Sequence, residues 1–252
     1  MRTIVVTGSA SGIGAACSAL LRERGDRVIG VDLANADVNA DLSGTDGRGA
    51  MVQQVSSLAG GRVDAVLACA GISSGPAGRI VSVNFFGAVA SLQGLRPLLS
   101  ASPEPRAVAI SSFAALMGQD DATVTACLEM NEDAAVAAIG DDAEYAYYSS
   151  KMALSLWIKQ NAVGQEWAGS GIVLNAVAPG MVATPMIQPL LDTQDGRDFL
   201  NGQVPSALGR PSDPRELAEL LVFFGSPQNS FVIGQTIYCD GGAEALRRPG
   251  RI

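Results

Sequence analysis

No histidine occurs anywhere in the 252 residues. That excludes every Ser-His-Asp or Cys-His mechanism and removes a common zinc ligand. The four cysteines, Cys17, Cys69, Cys127 and Cys239, stand singly with no CxxC spacing. No metal site is therefore expected, and the thiols read as reduced. Charge is sparse and acidic: 17% of residues are charged, Asp and Glu outnumber Lys and Arg 25 to 17, and no basic block occurs. Nucleic acid and anionic membrane surfaces are excluded as natural partners on that balance. No apolar run approaches the roughly 20 residues that span a bilayer. The strand-like "TIVVTG" follows Met1 almost at once, which leaves no room for a signal sequence. A soluble, cytoplasmic protein is the expectation.

What remains is apolar: 48% of the chain, the composition of a large buried core. Short β-branched runs, "TIVVTG", "RVIGVDL", "DAVLACAG", "RAVAISS", "GIVLNAVAP" and "IGQTIYCDGG", alternate with longer stretches at helical spacing. Several of these runs are almost continuously apolar, as in strands covered on both faces. The pattern predicts one α/β domain over 1–252, with a Rossmann-like, doubly wound parallel sheet and helices on both faces. Two segments break the rhythm: an acidic, alanine-rich stretch at 118–142, and 180–205, between a strand and the last long helix. Both exceed an ordinary connection, and such excursions at strand ends are where α/β folds place binding elements.

"VVTGSASGIGAA" passes directly from the first strand into the first helix. Gly8, Gly12 and Gly14 leave a turn bare enough for a pyrophosphate to sit on backbone N–H groups at a helix N-terminus. The second strand ends in Asp32. A carboxylate there accepts hydrogen bonds from ribose hydroxyls and repels a 2′-phosphate. With no Arg or Lys in "SAS" or just after Asp32, NAD rather than NADP is the expected cofactor. Asp41, ending the strand-like "NADL", reads either as a solvated turn residue or as an adenine contact.

"EYAYYSSK" (144–151) holds three of the four tyrosines. A free tyrosine, pKa about 10, is a poor base at neutral pH, but a nearby ammonium favours its phenolate. On a helix Lys151 can meet Tyr147 at i,i+4 or Tyr148 at i,i+3, so spacing leaves two candidates.

Taken in order, "TGSASGIG", "SVNFFGA", "ISS", "YYSSK" and "NAVAPGMVATP" resemble the short-chain dehydrogenase/reductase family over essentially the full length. The resemblance implies about seven parallel strands and nicotinamide-dependent hydride transfer between an alcohol and a carbonyl. Its register selects Tyr147 as the acid/base, with Tyr145 and Tyr148 as packing or pocket wall. It implies that Lys151 also holds the nicotinamide ribose, that Ser112 binds the substrate oxygen, and that Asn84 holds a water behind the lysine. A helix-kink or side-chain-to-backbone role for Asn84 is the alternative. It further assigns to the cofactor Ser11 and Ile13 in the glycine loop, Leu33, Leu42, Ala70 and Gly71, and then Pro179, Gly180, Val182 and Thr184.

Two departures stand out. Cys69 replaces an asparagine in "ACAG" and reads as a buried small hydrophobe rather than a reactive thiol. The gap between Ser112 and Tyr147 carries the additional 118–142 segment, expected as one or two short helices with acidic outer faces. It is either surface decoration or a cover over the usual dimer helices or the pocket mouth. The insertion, "CAG" and "DGG" look most like the bacterial 3α-hydroxysteroid dehydrogenase/carbonyl reductase branch and coniferyl-alcohol dehydrogenases. The resemblance thus implies a bulky apolar alcohol or ketone substrate and a homo-oligomer (dimer or tetramer); Met181, Met186, Ile187, Leu190, Leu191 and Phe199 of the long loop read either as a lid suited to such a substrate or as ordinary packing. Two other readings are an NAD-using epimerase or dehydratase, disfavoured by the short stretch after the loop, and a non-catalytic NAD-binding module, disfavoured by the intact Tyr–Lys pair.

Overall fold

The computed structural model describes residues 1–250. Seven strands form one parallel sheet: β1 (Thr3–Thr7), β2 (Arg27–Asp32), β3 (Val38–Asn39), β4 (Ala65–Ala68), β5 (Arg106–Ile110), β6 (Val173–Pro179) and β7 (Thr236–Cys239). Their order is β3-β2-β1-β4-β5-β6-β7. From β1 the chain first builds outward to β3, then returns to lay β4 on the other side of β1. That reversal opens a crevice beyond the C-terminal ends of β1 and β4, the usual ligand position in an open α/β sheet.

Strand alternation sorts side chains into two cores. Val5, Val66, Ala107 and Ala109 face one side, packed with Met51 and Val55, Leu92 and Leu95, and Leu154 and Trp157. These come from α2 (Thr45–Ala59), α4 (Ala88–Ser100) and α7 (Ala143–Asn161). Ile4, Val6, Leu67 and Val108 face the other side, against α1 (Gly12–Glu23) and α10 (Pro214–Phe224). Both faces are covered, so the strands read as continuous apolar runs.

The 118–142 segment forms two short helices, α5 (Asp121–Leu128) and α6 (Glu132–Ile139). Two of its acids and one asparagine cap helices: Asp120 accepts from Thr123 N at 2.7 Å, Asn131 from Ala134 N at 3.1 Å, and Asp142 caps α7 through Tyr145 N at 2.9 Å. One of its acids, Glu132, turns inward to pair with Arg48. The 180–205 segment folds into α8 (Gln188–Leu191) and α9 (Gln194–Gln203), and α11 (Ala243–Arg247) follows β7. Asp41 lies beyond β3 rather than ending a strand. Its carboxylate accepts from Ser43 N at 2.9 Å, a turn that leads into α2. Among the described residues no helix is long and apolar enough to cross a membrane.

The insertion is bolted to α7 by fully buried Ser149, whose hydroxyl accepts from Asp120 N at 2.8 Å. Replacing Ser149 with alanine leaves that N–H without its partner and is expected to cost about 1 kcal/mol in urea unfolding. Limited proteolysis should show earlier cutting within 118–142; unchanged stability and cutting would mean that α5 is held elsewhere.

Candidate active site

The glycine loop is shaped by contacts that no side chain could make. Gly8 has φ +68°, and a Cβ there would lie 2.9 Å from the Ala70 backbone. A Cβ on Gly14 would lie 2.1 Å from Gly8 O. The helix that follows starts without a cap: Ser11 makes no side-chain hydrogen bond to the first turn of α1, whereas Asp120, Asn131, Asp142 and Asp213 cap theirs. The first-turn N–H groups of α1 are thus left for an anion, and the bare loop gives it room to approach. These residues fit a dinucleotide pyrophosphate.

The cleft above this loop has a volume of about 390 Å³, within the range of small-molecule sites. It is lined by Gly8, Ser11, Gly12, Ile13, Gly14, Asp32, Leu33, Asp41, Leu42, Ala70, Gly71, Ser112, Tyr147, Lys151, Pro179, Gly180, Val182 and Thr184. Asn84 alone of the expected site residues stands behind the wall rather than in it. Sequence reasoning had not assigned Val83, Arg79, Ile72 or Ile110 to the cleft, which they also line. Arg79 is the informative omission. It donates to Asp41 Oδ2 at 3.2 Å, and nothing in "SSGPAGRIV" signals that a helix turn brings it across a loop 38 residues earlier.

At the adenosine end, Asp32 Oδ2 accepts from Ala10 N at 2.9 Å and Oδ1 from Leu33 N at 2.7 Å. The carboxylate is held facing the cleft by the two loops it joins.

At the other end, α7 carries Tyr147 and Lys151 on the cleft side. Tyr147 shares this end of the cleft with Ser112. Ser112 in turn caps the 3-10 turn Phe113–Leu116 by accepting from Ala114 N at 3.1 Å. Burial pushes the Tyr147 phenol above its ordinary range, and the Ser112 hydroxyl draws it partly back. Lys151 is buried, and its Nζ donates to Ile110 O at 2.9 Å and lies 5.8 Å from the Tyr147 ring centroid. Burial pulls its pKa down to about 8, against a smaller upward pull from Cys69. Tyr148 points elsewhere: its hydroxyl donates to Glu144, and its ring leans on Tyr145 at 5.9 Å. Burial and the Glu144 carboxylate push that phenol up beyond reach as a base.

The serines between them position the helix. Ser150 donates to Tyr147 O at 2.8 Å and receives Asn84 Nδ2 at 3.3 Å. Ser111 continues β5, donating to Lys151 O at 3.0 Å and pairing with Ser155 at 2.7 Å. Fully buried Asn84 sits in a π-helical turn, Ser82–Gly87. Its side chain clamps the Ile72 backbone, accepting from N at 2.8 Å and donating to O at 2.9 Å. A Cβ on Gly71 would lie 3.1 Å from Asn84 Oδ1 and 3.3 Å from Lys151 Nζ, so both side chains approach a backbone that must stay bare.

Cys69 lines the cleft and packs on the α1-side core, where hydrogen bonding with Cys17 and then burial push its thiol well above the usual value. That suppresses thiolate chemistry. Of the expected lid residues, Met186 and Ile187 line the cleft with Pro185. Met181 is buried, and Leu190 and Phe199 face outward, exposed. Among the described residues no group of His, Cys, Asp or Glu could hold a metal ion.

Comparison with known proteins agrees with this geometry. A family model described as enoyl-(acyl carrier protein) reductase matches residues 8–244. The 3-alpha-hydroxysteroid dehydrogenase/carbonyl reductase of Comamonas testosteroni is 36% identical over 99% of both chains. The cis-4-hydroxycyclohexanecarboxylate dehydrogenase of Sinomonas cyclohexanicum is 30% identical over 97% of both. A crystal structure of the 3-alpha-hydroxysteroid dehydrogenase from Pseudomonas sp. B-0831, complexed with NADH, superposes with a TM-score of 0.92 at 39% identity over the whole of both chains. On these matches and on the glycine loop, Tyr–Lys helix and seven-stranded sheet described above, the chain belongs to the short-chain dehydrogenase/reductase family.

Proposed function

We propose that this oxidoreductase uses NAD to interconvert a bulky, apolar secondary or aryl alcohol, of the hydroxysteroid, alicyclic or coniferyl kind, and its carbonyl. The observation that carries the reading is the convergence of Ser112, Tyr147 and Lys151 at one end of a cleft whose other end is Asp32. The dinucleotide, when bound, supplies the hydride acceptor or donor. Ser112 holds the substrate oxygen. Tyr147 takes the hydroxyl proton during oxidation and returns it during reduction. The Lys151 ammonium and the Ser112 hydroxyl both favour the phenolate, so they bring a raised phenol toward working range. Asn84 and Ser150 fix the helix turn between the two ends of the pair.

Asp32 sets the cofactor choice: a 2′-phosphate would face a carboxylate already fixed by two backbone donors. The apolar preference rests on Pro185, Met186 and Ile187, which offer the substrate end a wall without charge. The same substrate class is named for the Comamonas and Pseudomonas relatives.

The test is turnover with NAD against hydroxysteroids, coniferyl alcohol, alicyclic alcohols and short secondary alcohols, followed by absorbance of the reduced nicotinamide. Tyr147→Phe is expected to lower kcat/KM by about 10²–10⁴-fold, the usual worth of a positioned acid/base, while Tyr148→Phe leaves it nearly unchanged. Equal losses in the two variants would reject Tyr147 as the acid/base, and turnover of short alcohols alone would reject the apolar site. Asp32→Ser should shift the NADPH-to-NADH ratio of kcat/KM by about 10–100-fold toward NADPH, since it removes a like-charge contact. A parent enzyme that already prefers NADPH would overturn that assignment.

Lys151 gives a stability test with a defined sign. Its folded pKa of about 8 lies below the ordinary 10.5, so below pH 8 the fold carries a buried charge at a cost. Between pH 8 and 10.5 the folded lysine is losing its proton while the unfolded one keeps it, so stability rises with pH. Lys151→Met should therefore abolish turnover yet stabilise the cofactor-free protein by about 3 kcal/mol at pH 7. The gain over the parent should shrink as pH rises through that window. A destabilised variant at pH 7 would show instead that the hydrogen bond to Ile110 outweighs the buried charge.

A further inference from the structure

The insertion reaches the cleft from behind at one residue, Arg48. This arginine lies in the first turn of α2, just past the loop that walls the adenosine end, and it is only 7% exposed. Its Nε donates to Leu42 O at 2.7 Å, and Nη2 donates to Ser43 O at 3.1 Å and Ser82 O at 3.0 Å. The outer nitrogens meet Glu132 of α6 in a two-pronged pair, at 2.6 and 2.7 Å. Burial opposes ionisation of Glu132, but hydrogen bonds with Arg48 and Ser82 hold it below the usual carboxylate range.

The approach of α6 is built into the packing. It lies against α3 (Ala77–Val81), where a Cβ on Gly78 would come within 2.7 Å of Val136 Cγ1. The next residue of α3, Arg79, pairs with Asp41 on the cleft side of the same loop. The segment Asp41–Ser43 is thus gripped from the front by Arg79 and from behind by Arg48, and Arg48 is held in place by the insertion.

We propose that Glu132 is a positioning residue for the dinucleotide: through Arg48 it holds Asp41–Ser43 in the shape that receives the adenosine half, so that the insertion sets cofactor affinity. This rests on reading the cleft as a dinucleotide site. Without the carboxylate, the buried guanidinium must draw in water or swing away, and the Leu42 and Ser43 carbonyls lose their donor. None of the hydrogen bonds of Arg48 or Glu132 reaches Ser112, Tyr147 or Lys151, so the chemical step is untouched.

The experiment is titration of the full chain and its Glu132→Gln variant with NADH, and with AMP as a probe of the adenosine half alone, alongside steady-state kinetics. The variant should bind both ligands about tenfold more weakly or worse, the scale of a charge-assisted contact, with KM for the cofactor rising in step and saturated kcat changing by less than about twofold. Glu132→Asp, which keeps the charge at shorter reach, should recover part of the affinity. Unchanged AMP binding, or a fall in kcat with constant KM, overturns the inference. If Glu132→Gln does not fold, Gly78→Ala pushes α6 away without altering either charge. It should give the same split between KM and kcat, and normal AMP affinity there is equally fatal. A parent protein that binds neither NADH nor AMP overturns the cofactor reading together with this inference, whereas normal parent binding with unaffected variants overturns this inference alone.

Discussion

Everything at the cleft depends on how closely the loops after β1 and β4 can approach. The two strands are neighbours, yet the chain leaves them in opposite directions, so their exits share one small space. Gly8 meets the Ala70 backbone at a distance that admits no Cβ, and the Thr7 hydroxyl accepts from Ala70 N at 3.1 Å. This contact aims the uncapped N-terminus of α1 into the crevice and sets Asp32 beside it. It also leads β4 out through Gly71, whose missing side chain lets Asn84 and Lys151 both close on the backbone. A side chain at Gly8 would part the loops and disturb both ends of the site together.

The second constraint is the register of α7 against β5. Buried Lys151 is worth its cost only if Nζ stays at Ile110 O while Tyr147 stays at Ser112. Three serines enforce that: on α7, Ser150 binds back to Tyr147 O and Ser149 holds the insertion, and from the end of β5 Ser111 donates to Lys151 O. Small hydroxyls suit this work because they satisfy buried backbone groups without adding bulk. The two serines of "YSSK" therefore divide into one that serves the catalytic turn and one that serves the insertion.

How much of this could be read from the sequence follows from the range of each interaction. The parallel sheet showed itself in continuous apolar runs, and the glycine loop in a local demand for bare backbone. Tyr147 and Tyr148 could not be separated by spacing, because i,i+4 and i,i+3 both face a lysine. The structure separates them by their surroundings: Tyr147 lines the cleft with Ser112 and Lys151, whereas the Tyr148 hydroxyl donates to Glu144. Asn84 fits both the kinked-helix and the backbone-clamp reading, since the π-turn is what points its amide at Ile72. Glu132 looked like one more surface acid. Its partner lies 84 residues away, and no local pattern marks which acid of an acidic helix turns inward.

The buried polar groups also explain why the two ends of the sheet can evolve under different demands. At the N-terminal ends of the strands, Asp64 accepts from Thr3 N at 2.8 Å and from the Ser102 hydroxyl at 2.7 Å, and Arg106 donates to Asn229 O at 2.8 Å. These tie strand starts and loops to one another, and every partner belongs to the protein. At the C-terminal ends, the groups around Lys151 and Arg48 face a cleft. There, satisfaction of one charge rests on elements that ligands also touch. Desolvating a polar group is tolerable only with a fixed partner. The lower network can therefore be rigid for stability alone, whereas the upper one must leave the first turn of α1, the Asp32 carboxylate and the Tyr147 hydroxyl able to accept new partners. A stabilising change below should be neutral for the site, while one above, such as removing the Lys151 charge, gains stability by deleting a group that the proposed chemistry needs.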